Sequence, residues 1–124
     1  MTATLETIEA SAFIYCQNLK TLELPAGSKL SFLGDSAFEG TGLTGDLVLP
    51  DSVEVLSNAC FRNCTGLTSL TLPASLESVG SWLLEGCTAL KKVVYNGTAE
   101  AWEALEVQRI GNEILFSDLL VFAR

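Results

Sequence analysis

The chain has 124 residues, 48% of them apolar and 18% charged, with a net charge of -8 and no histidine. That length suits one domain, the acidic balance argues against nucleic acid or an anionic membrane because phosphate binding needs clustered Lys and Arg, and the missing histidine removes every Ser-His or Cys-His nucleophile. No apolar run approaches the roughly 20 residues of a membrane span, and residues 1–6 have neither a basic n-region nor an apolar h-region, so a soluble chain with no export signal is expected.

Taken in order, the chain repeats itself. Counting back from Pro25 gives Leu24, Leu22, Leu19, Cys16, Phe13, Ala12, Ile8 and Leu5. The same offsets from Pro73 give Leu72, Leu70, Leu67, Cys64, Phe61, Cys60, Leu56 and Val53. Pro50 and Asn96 close two further units in this frame, so four repeats are expected at 5–25, 30–50, 53–73 and 76–95. Their period of about 23 residues lies in the range of leucine-rich solenoids. Leu19–Leu24 and Leu67–Leu72 alternate as strands with one buried face, and the prolines close them because proline lacks a ladder donor. The Leu5-x-x-Ile8 motif and its counterparts predict a second short extended segment. Ser11-Ala-Phe13, Ser36-Ala-Phe38 and Ala59-Cys-Phe61 set a small residue beside a large ring, which predicts a tight helical turn whose Phe plugs the core.

Departures from the frame carry expectations of their own. Pro25 to Leu30 holds two residues more than its counterparts, so 26–29 should bulge outward. Thr41 and Thr44 replace Cys and Leu while Leu43 comes one place early, which suggests a one-residue deletion near Gly40–Thr41 with Leu43 still filling the core. Trp82, Leu83 and Leu84 form a bulkier set that should pack against the C-terminal segment. In that segment Thr98 is a candidate N-cap, 99–105 reads as two helical turns with Trp102 and Leu105 on one face, and 119–122 as a closing strand. Residues 96–124 are therefore expected to cap the array.

The recurring Leu-x-x-Ile-x-x-x-Ala-Phe-x-x-Cys-x-x-Leu-x-x-Leu-x-Leu-Pro pattern resembles the BspA-type leucine-rich repeat of bacterial and some protozoan surface proteins. The segment Tyr95-Asn-Gly-Thr98, Trp102, Leu105, Gly111-Asn-Glu113 and Leu115 is similar to the one that often ends such arrays. The resemblance implies a right-handed superhelix of short parallel strands and tight turns, residence at the cell surface or outside the cell, and adhesion or binding to host or neighbouring-cell proteins. It brings no catalytic motif and no cofactor.

The chemistry-bearing residues are read beside it. Cys16, Cys64 and Cys87 share one repeat position and Cys60 takes the Ala position, so all four are expected as small buried hydrophobes with free thiols. Asn63-Cys-Thr65 and Asn96-Gly-Thr98 match the glycosylation sequon, although Cys64 should face the core. No metal site, Gly-rich phosphate loop or paired catalytic carboxylates emerge. The outward residues of the strand ladder are the candidate protein-binding face: Thr21, Asp46, Ser69 and Lys92 in one column, Glu23, Val48, Thr71 and Val94 in the next. They lack aromatic and Arg anchors, so a plain solvated face weighs equally. Leu5, Ile8, Phe13 and Leu22 start the solenoid without a polar cap, which suggests a longer array or end-to-end self-association. The expected function is a non-catalytic protein-binding or adhesion module of a bacterial surface or secreted protein. The alternative is a structural spacer or intracellular interaction domain with no ligand on the sheet face.

Overall fold

From the second coil on, short strands recur twice per coil, and they stack in parallel across the coils. The computed structural model describes residues 2–25 and 27–124. In chain order the strands are β1 (Thr7–Ile8), β2 (Phe32–Leu33), β3 (Thr44–Val48), β4 (Val55–Leu56), β5 (Gly66–Leu72), β6 (Ser78–Val79), β7 (Lys92–Tyr95), β8 (Glu106–Val107) and β9 (Leu120–Phe122). They form a five-stranded sheet, β1-β2-β4-β6-β8, and a four-stranded sheet, β3-β5-β7-β9. The expected second extended segment of each repeat is thus the two-residue strand of the first sheet. Its register sets Ile8, Leu33, Leu56 and Val79 in one buried column.

Alternation builds the second sheet. Leu47, Leu70 and Val93 stand in register and point inward, while Leu49, Leu72 and Tyr95 line the core beyond them. Between the sheets, Phe13 stacks on Phe38 at 5.2 Å and Phe38 on Phe61 at 5.6 Å, with rings within 8° of parallel. Equivalent residues of successive coils therefore share one environment, as the repeat frame requires. Serines tie the coils together after two of the prolines: Ser52 donates to Leu30 O at 2.6 Å and Ser75 to Val53 O at 2.7 Å.

The turn that carries each Phe is not helical. Ser11, Ser36, Ala59 and Trp82 have φ of 57 to 58°, and Tyr15, Gly40, Asn63 and Gly86, four residues on, have φ of 57 to 80°. Left-handed conformation costs an L-residue roughly 1–2 kcal/mol, yet the position recurs in four coils. Its compensation lies between coils. Ser36, Phe38 and Gly40 donate to Asn58 O, Cys60 O and Arg62 O, and Ala59, Phe61 and Asn63 donate to Ser81 O, Leu83 O and Glu85 O. The intervening Ala37, Glu39 and Thr41 donate back within their own turn, to Gly34, Ser36 and Phe38. A helix would keep every bond inside the coil; this turn sends alternate bonds to its neighbour and joins the stack.

The expected deletion near Gly40–Thr41 is also corrected. Thr41 sits beside Cys64, Oγ1 to Sγ 3.3 Å across 23 residues, and Leu47 pairs with Leu70, again 23 apart, so no residue is missing. Between them the register slips and recovers at a bulge, Gly45 opposite Leu67 but Asp46 opposite Ser69, which leaves Thr68 as the extra residue. Leu43 is buried, as the frame expects.

The first coil departs from its repeat. Leu19–Leu24 does not form a strand, and among the described residues Thr44 N–H to Lys20 O, 3.1 Å, is the backbone bond that ties this stretch to β3. Leu19, Leu22 and Leu24 still pack half-buried against the core. The β3 bulge at Gly45 bends the edge that this segment would have to pair with. Of the expected bulge at 26–29, Ala26 lies outside the described residues; Gly27 has φ of 75° and Lys29 N–H is bonded to Ala3 O at 3.1 Å.

Residues 96–124 add one strand to each sheet. Thr98 Oγ1 accepts from Ala101 N–H at 3.1 Å and caps α1 (Ala99–Glu103). The helix buries Trp102 edge-on against Tyr95 at 5.2 Å. A 3-10 turn, Glu113–Phe116, leads to β9. Trp82 packs on Gly111, where an added Cβ would sit 2.0 Å from Trp82 Cδ1, so the bulkier fourth unit does meet the C-terminal segment.

Candidate functional site

The outward face of the second sheet is built by register. Asp46, Ser69 and Lys92 are direct neighbours on β3, β5 and β7, and so are Val48, Thr71 and Val94, with Val121 continuing the column on β9. These are the two columns the sequence assigned, without their first members. Thr21 and Glu23 are exposed but lie in the unpaired stretch of the first coil, outside the ladder.

Within the first column the bulge changes the chemistry. Asp46 accepts hydrogen bonds from Ser69 Oγ at 2.8 Å and from the extra Thr68 Oγ1 at 3.3 Å. The Ser69 bond, then the Thr68 bond, with a smaller attraction from Lys92, hold the Asp46 carboxyl below its ordinary range. Asp46 therefore stays charged at neutral pH while Ser69, 4% exposed, has its hydroxyl committed. Ser69 supports the face without presenting to it. The sequence signal for this was Thr68-Ser69 opposite a single Asp46, legible only once the bulge is known. The second column is apolar and open, with Val48 60% exposed and Thr71 and Val94 half-buried. The face thus offers a carboxylate, an ammonium and a methyl-lined row.

The cysteines divide by position. Cys64 donates to Phe38 O at 3.2 Å, Cys87 to Phe61 O at 3.0 Å and Cys60 to Gly34 O at 3.3 Å, each reaching the preceding coil. Cys16, expected to be buried, is exposed. The covering of this position comes from the coil before, and no described coil precedes Cys16. Burial pushes the Cys60 thiol up to about 12, and contact with Cys64, then burial, pushes the Cys87 thiol up as well. A thiol reagent added to the folded protein should consume one equivalent quickly, at Cys16, because it is the exposed cysteine and access limits the rate at the three buried ones. The denatured, unreduced protein should give four. Fast native labelling at Cys60 or Cys87 would contradict the burial, and fewer than four after denaturation would contradict the free thiols. Among the described residues no group of three His, Cys, Asp or Glu side chains gathers to hold a metal ion.

Comparison with known proteins places the chain. A family model for the BspA-type leucine-rich repeat region matches residues 1–104, in six copies against the four units expected from the frame of Pro25, Pro50, Pro73 and Asn96. A solved structure, a leucine-rich repeat protein from Bacteroides ovatus ATCC 8483 at 1.19 Å, is similar over 98% of this chain with 27% identity and a TM-score of 0.67. The chain covers 31% of that protein, about a third of its length. No curated protein matches. The family is typically non-catalytic and surface-associated in bacteria, and its repeats generally mediate protein–protein interaction. No described helix is long and apolar enough to cross a membrane.

Proposed function

Because the chain belongs to the BspA-type leucine-rich repeat family, we propose that it is a non-catalytic adhesion module of a bacterial surface or secreted protein, binding a partner protein through the outward face of β3, β5 and β7. The observation that carries this reading is the registered pair of columns, Asp46 to Lys92 and Val48 to Val94, on a backbone fixed by parallel ladders. A rigid face loses little entropy on docking, so even small side chains can contribute net affinity. Val48 supports it further, since so exposed an apolar side chain on the edge strand of the face is suited to burial by a partner.

The test is capture of purified extracellular matrix proteins, the class an adhesin meets outside the cell, on the immobilised chain. Retention should fall at least about tenfold for the double variant Val48→Asp, Val94→Asp, about 1.4 kcal/mol or more. Retention that ignores both substitutions would move the site elsewhere. A chain that captures none of these proteins would return the alternative of a spacer without a ligand on this face.

The first coil favours a second contact. Phe13 is half-buried where Phe38 and Phe61 are fully buried, and Leu5 and Leu22 are half-buried beside it. End-to-end association through this rung should raise the mass seen by light scattering as concentration rises, and a monomer throughout would exclude it.

A further inference from the structure

We infer that the outward side of the five-stranded sheet carries a binding groove for a neutral, extended, β-linked oligosaccharide laid along the stack. A cavity of about 490 Å³ runs there across four successive coils, from Asp35 in the second to Glu106 and Gln108 in the last. Two rows of side chains border it. Val55, Ser78 and Glu106 stand in register on β4, β6 and β8, and Asp35, Asn58 and Ser81 form the other row, one per coil and 23 residues apart.

The polar groups of the groove are held in place but not used up. Asp35 Oδ1 accepts from Asn58 N–H at 3.0 Å, and Asn58 Oδ1 accepts from Ser81 N–H at 2.8 Å. Each bond fixes a side chain by one atom and leaves the other, the second Asp35 oxygen and the Asn58 Nδ2, without a protein partner among the described residues. Gly80 makes room for that amide, since an added Cβ would sit 2.5 Å from Asn58 Oδ1. Ser57, Ser78 and Ser81 are half-buried, yet among the described residues their hydroxyls bond to nothing, whereas Ser52, Ser69 and Ser75 each donate within the protein. Partial burial takes hydration from such a hydroxyl, and a ligand that supplies the missing bond restores it.

Spacing and charge select the occupant. Rungs lie about 4.8 Å apart, close to the length of one pyranose in an extended β-linked chain, so successive sugars meet successive coils. A sugar hydroxyl both donates and accepts, which suits a row that offers in turn a carboxylate, an amide and a hydroxyl. Phe32, 38% exposed and in register with Val55, continues the first row with an apolar ring for the C–H face of a sugar. Among the described residues no Lys or Arg lines the groove, so its two carboxylates repel an anionic glycan. Asp35 and Glu106 stand three rungs apart, about 14 Å along the stack, too far to close on one ammonium, which leaves a cationic segment without an advantage over a neutral chain.

The experiment titrates cellotetraose into the whole isotope-labelled chain and follows the backbone amides by NMR. Saturable shifts should centre on residues 55–58 and 78–81. Cellobiose, which engages fewer rungs, should bind at least about tenfold more weakly, as should maltotetraose, whose α-linked chain curves away from a straight row. Asn58→Asp keeps the acceptor for Ser81 N–H and removes the free donor, so it should weaken binding by about tenfold or more while the amide spectrum stays that of the folded chain. Ser78→Val alters a side chain that bonds to nothing within the protein and should weaken it by about fivefold. Absence of saturable shifts, equal affinity for maltotetraose, or binding indifferent to both variants would overturn the inference. So would shifts centred on β3 and β5, which would put the sugar on the adhesion face proposed above, or a valine–lysine peptide that binds this groove more tightly than cellotetraose.

Discussion

Replacing Phe61 by Ala should destabilise the protein by about 3 to 5 kcal/mol, the range for emptying a large aromatic from a core. The ring has no exposed surface and stacks on Phe38 at 5.6 Å, in the third of the stacked coils. Its backbone cannot move to fill the space, because Phe61 N–H is bonded to Leu83 O at 3.1 Å and Phe61 O accepts from Cys87 at 3.0 Å. A site that cannot collapse retains its cavity. The loss should also spread, since each coil of a solenoid is stabilised by its neighbours alone, and a cavity between the second and fourth coils weakens both contacts. Phe13→Ala, at a half-buried ring, should cost less. Urea melts giving less than about 1 kcal/mol for Phe61→Ala would mean the ring is not part of the shared interior.

Asn112→Ala should cost about 3 kcal/mol, because it strips partners from three buried or half-buried backbone groups, and each orphaned group costs about 1–3 kcal/mol. Asn112 is 2% exposed. Its Oδ1 accepts from Leu83 N–H at 2.9 Å, and its Nδ2 donates to Gly80 O at 2.8 Å and Gln108 O at 2.6 Å. One side chain thus bolts the last coil to the fourth. Asn112→Asp separates the hydrogen-bonding role from size. The carboxylate still accepts from Leu83 N–H but faces two carbonyl oxygens, so its pKa should rise. A raised folded-state pKa means the protonated form is the one tolerated, so the variant should regain stability as pH falls below that value and lose it as pH rises through it. Equal stability of Asn112→Ala and the parent in denaturant melts would show that the three bonds carry nothing.

Much of this was legible in the chain of letters. The spacing of Leu70 and Leu72 before Pro73, repeated at Leu22 and Leu24 before Pro25, gives period two, and period two with one apolar face is a strand against a core. The repeat itself then forces stacking, because a single unit cannot bury its own face. That frame yields the columns Asp46-Ser69-Lys92 and Val48-Thr71-Val94, which the parallel register reproduces. Thr98 as N-cap came from a local rule, a hydroxyl one residue before a helical pattern.

What the letters hid was of two kinds. Ser36, Ala59 and Trp82 are not residues that favour positive φ, so local propensity pointed to a helical turn at a place where bonds to the next coil impose the left-handed one. Likewise Thr41 and Thr44 looked like a deletion, because a bulge that slips and recovers within a few residues changes the pattern of letters without changing the period.

The sequence by itself determined the period, the inward residues and the kind of fold, because burial of a repeating apolar face admits few other solutions. Only the tertiary structure decided which residues each coil leaves uncovered. Cys16 is exposed while Cys64 is not, Lys20–Leu24 stays out of the ladder that Ser69–Leu72 joins, and Phe116 and Phe122 turn outward where Phe38 and Phe61 turn in. Each pair is alike in type, and the difference lies in the neighbouring coil. A side chain in a solenoid is covered by residues some two dozen positions away, so its exposure is a property of the stack and is not written in its own stretch of chain.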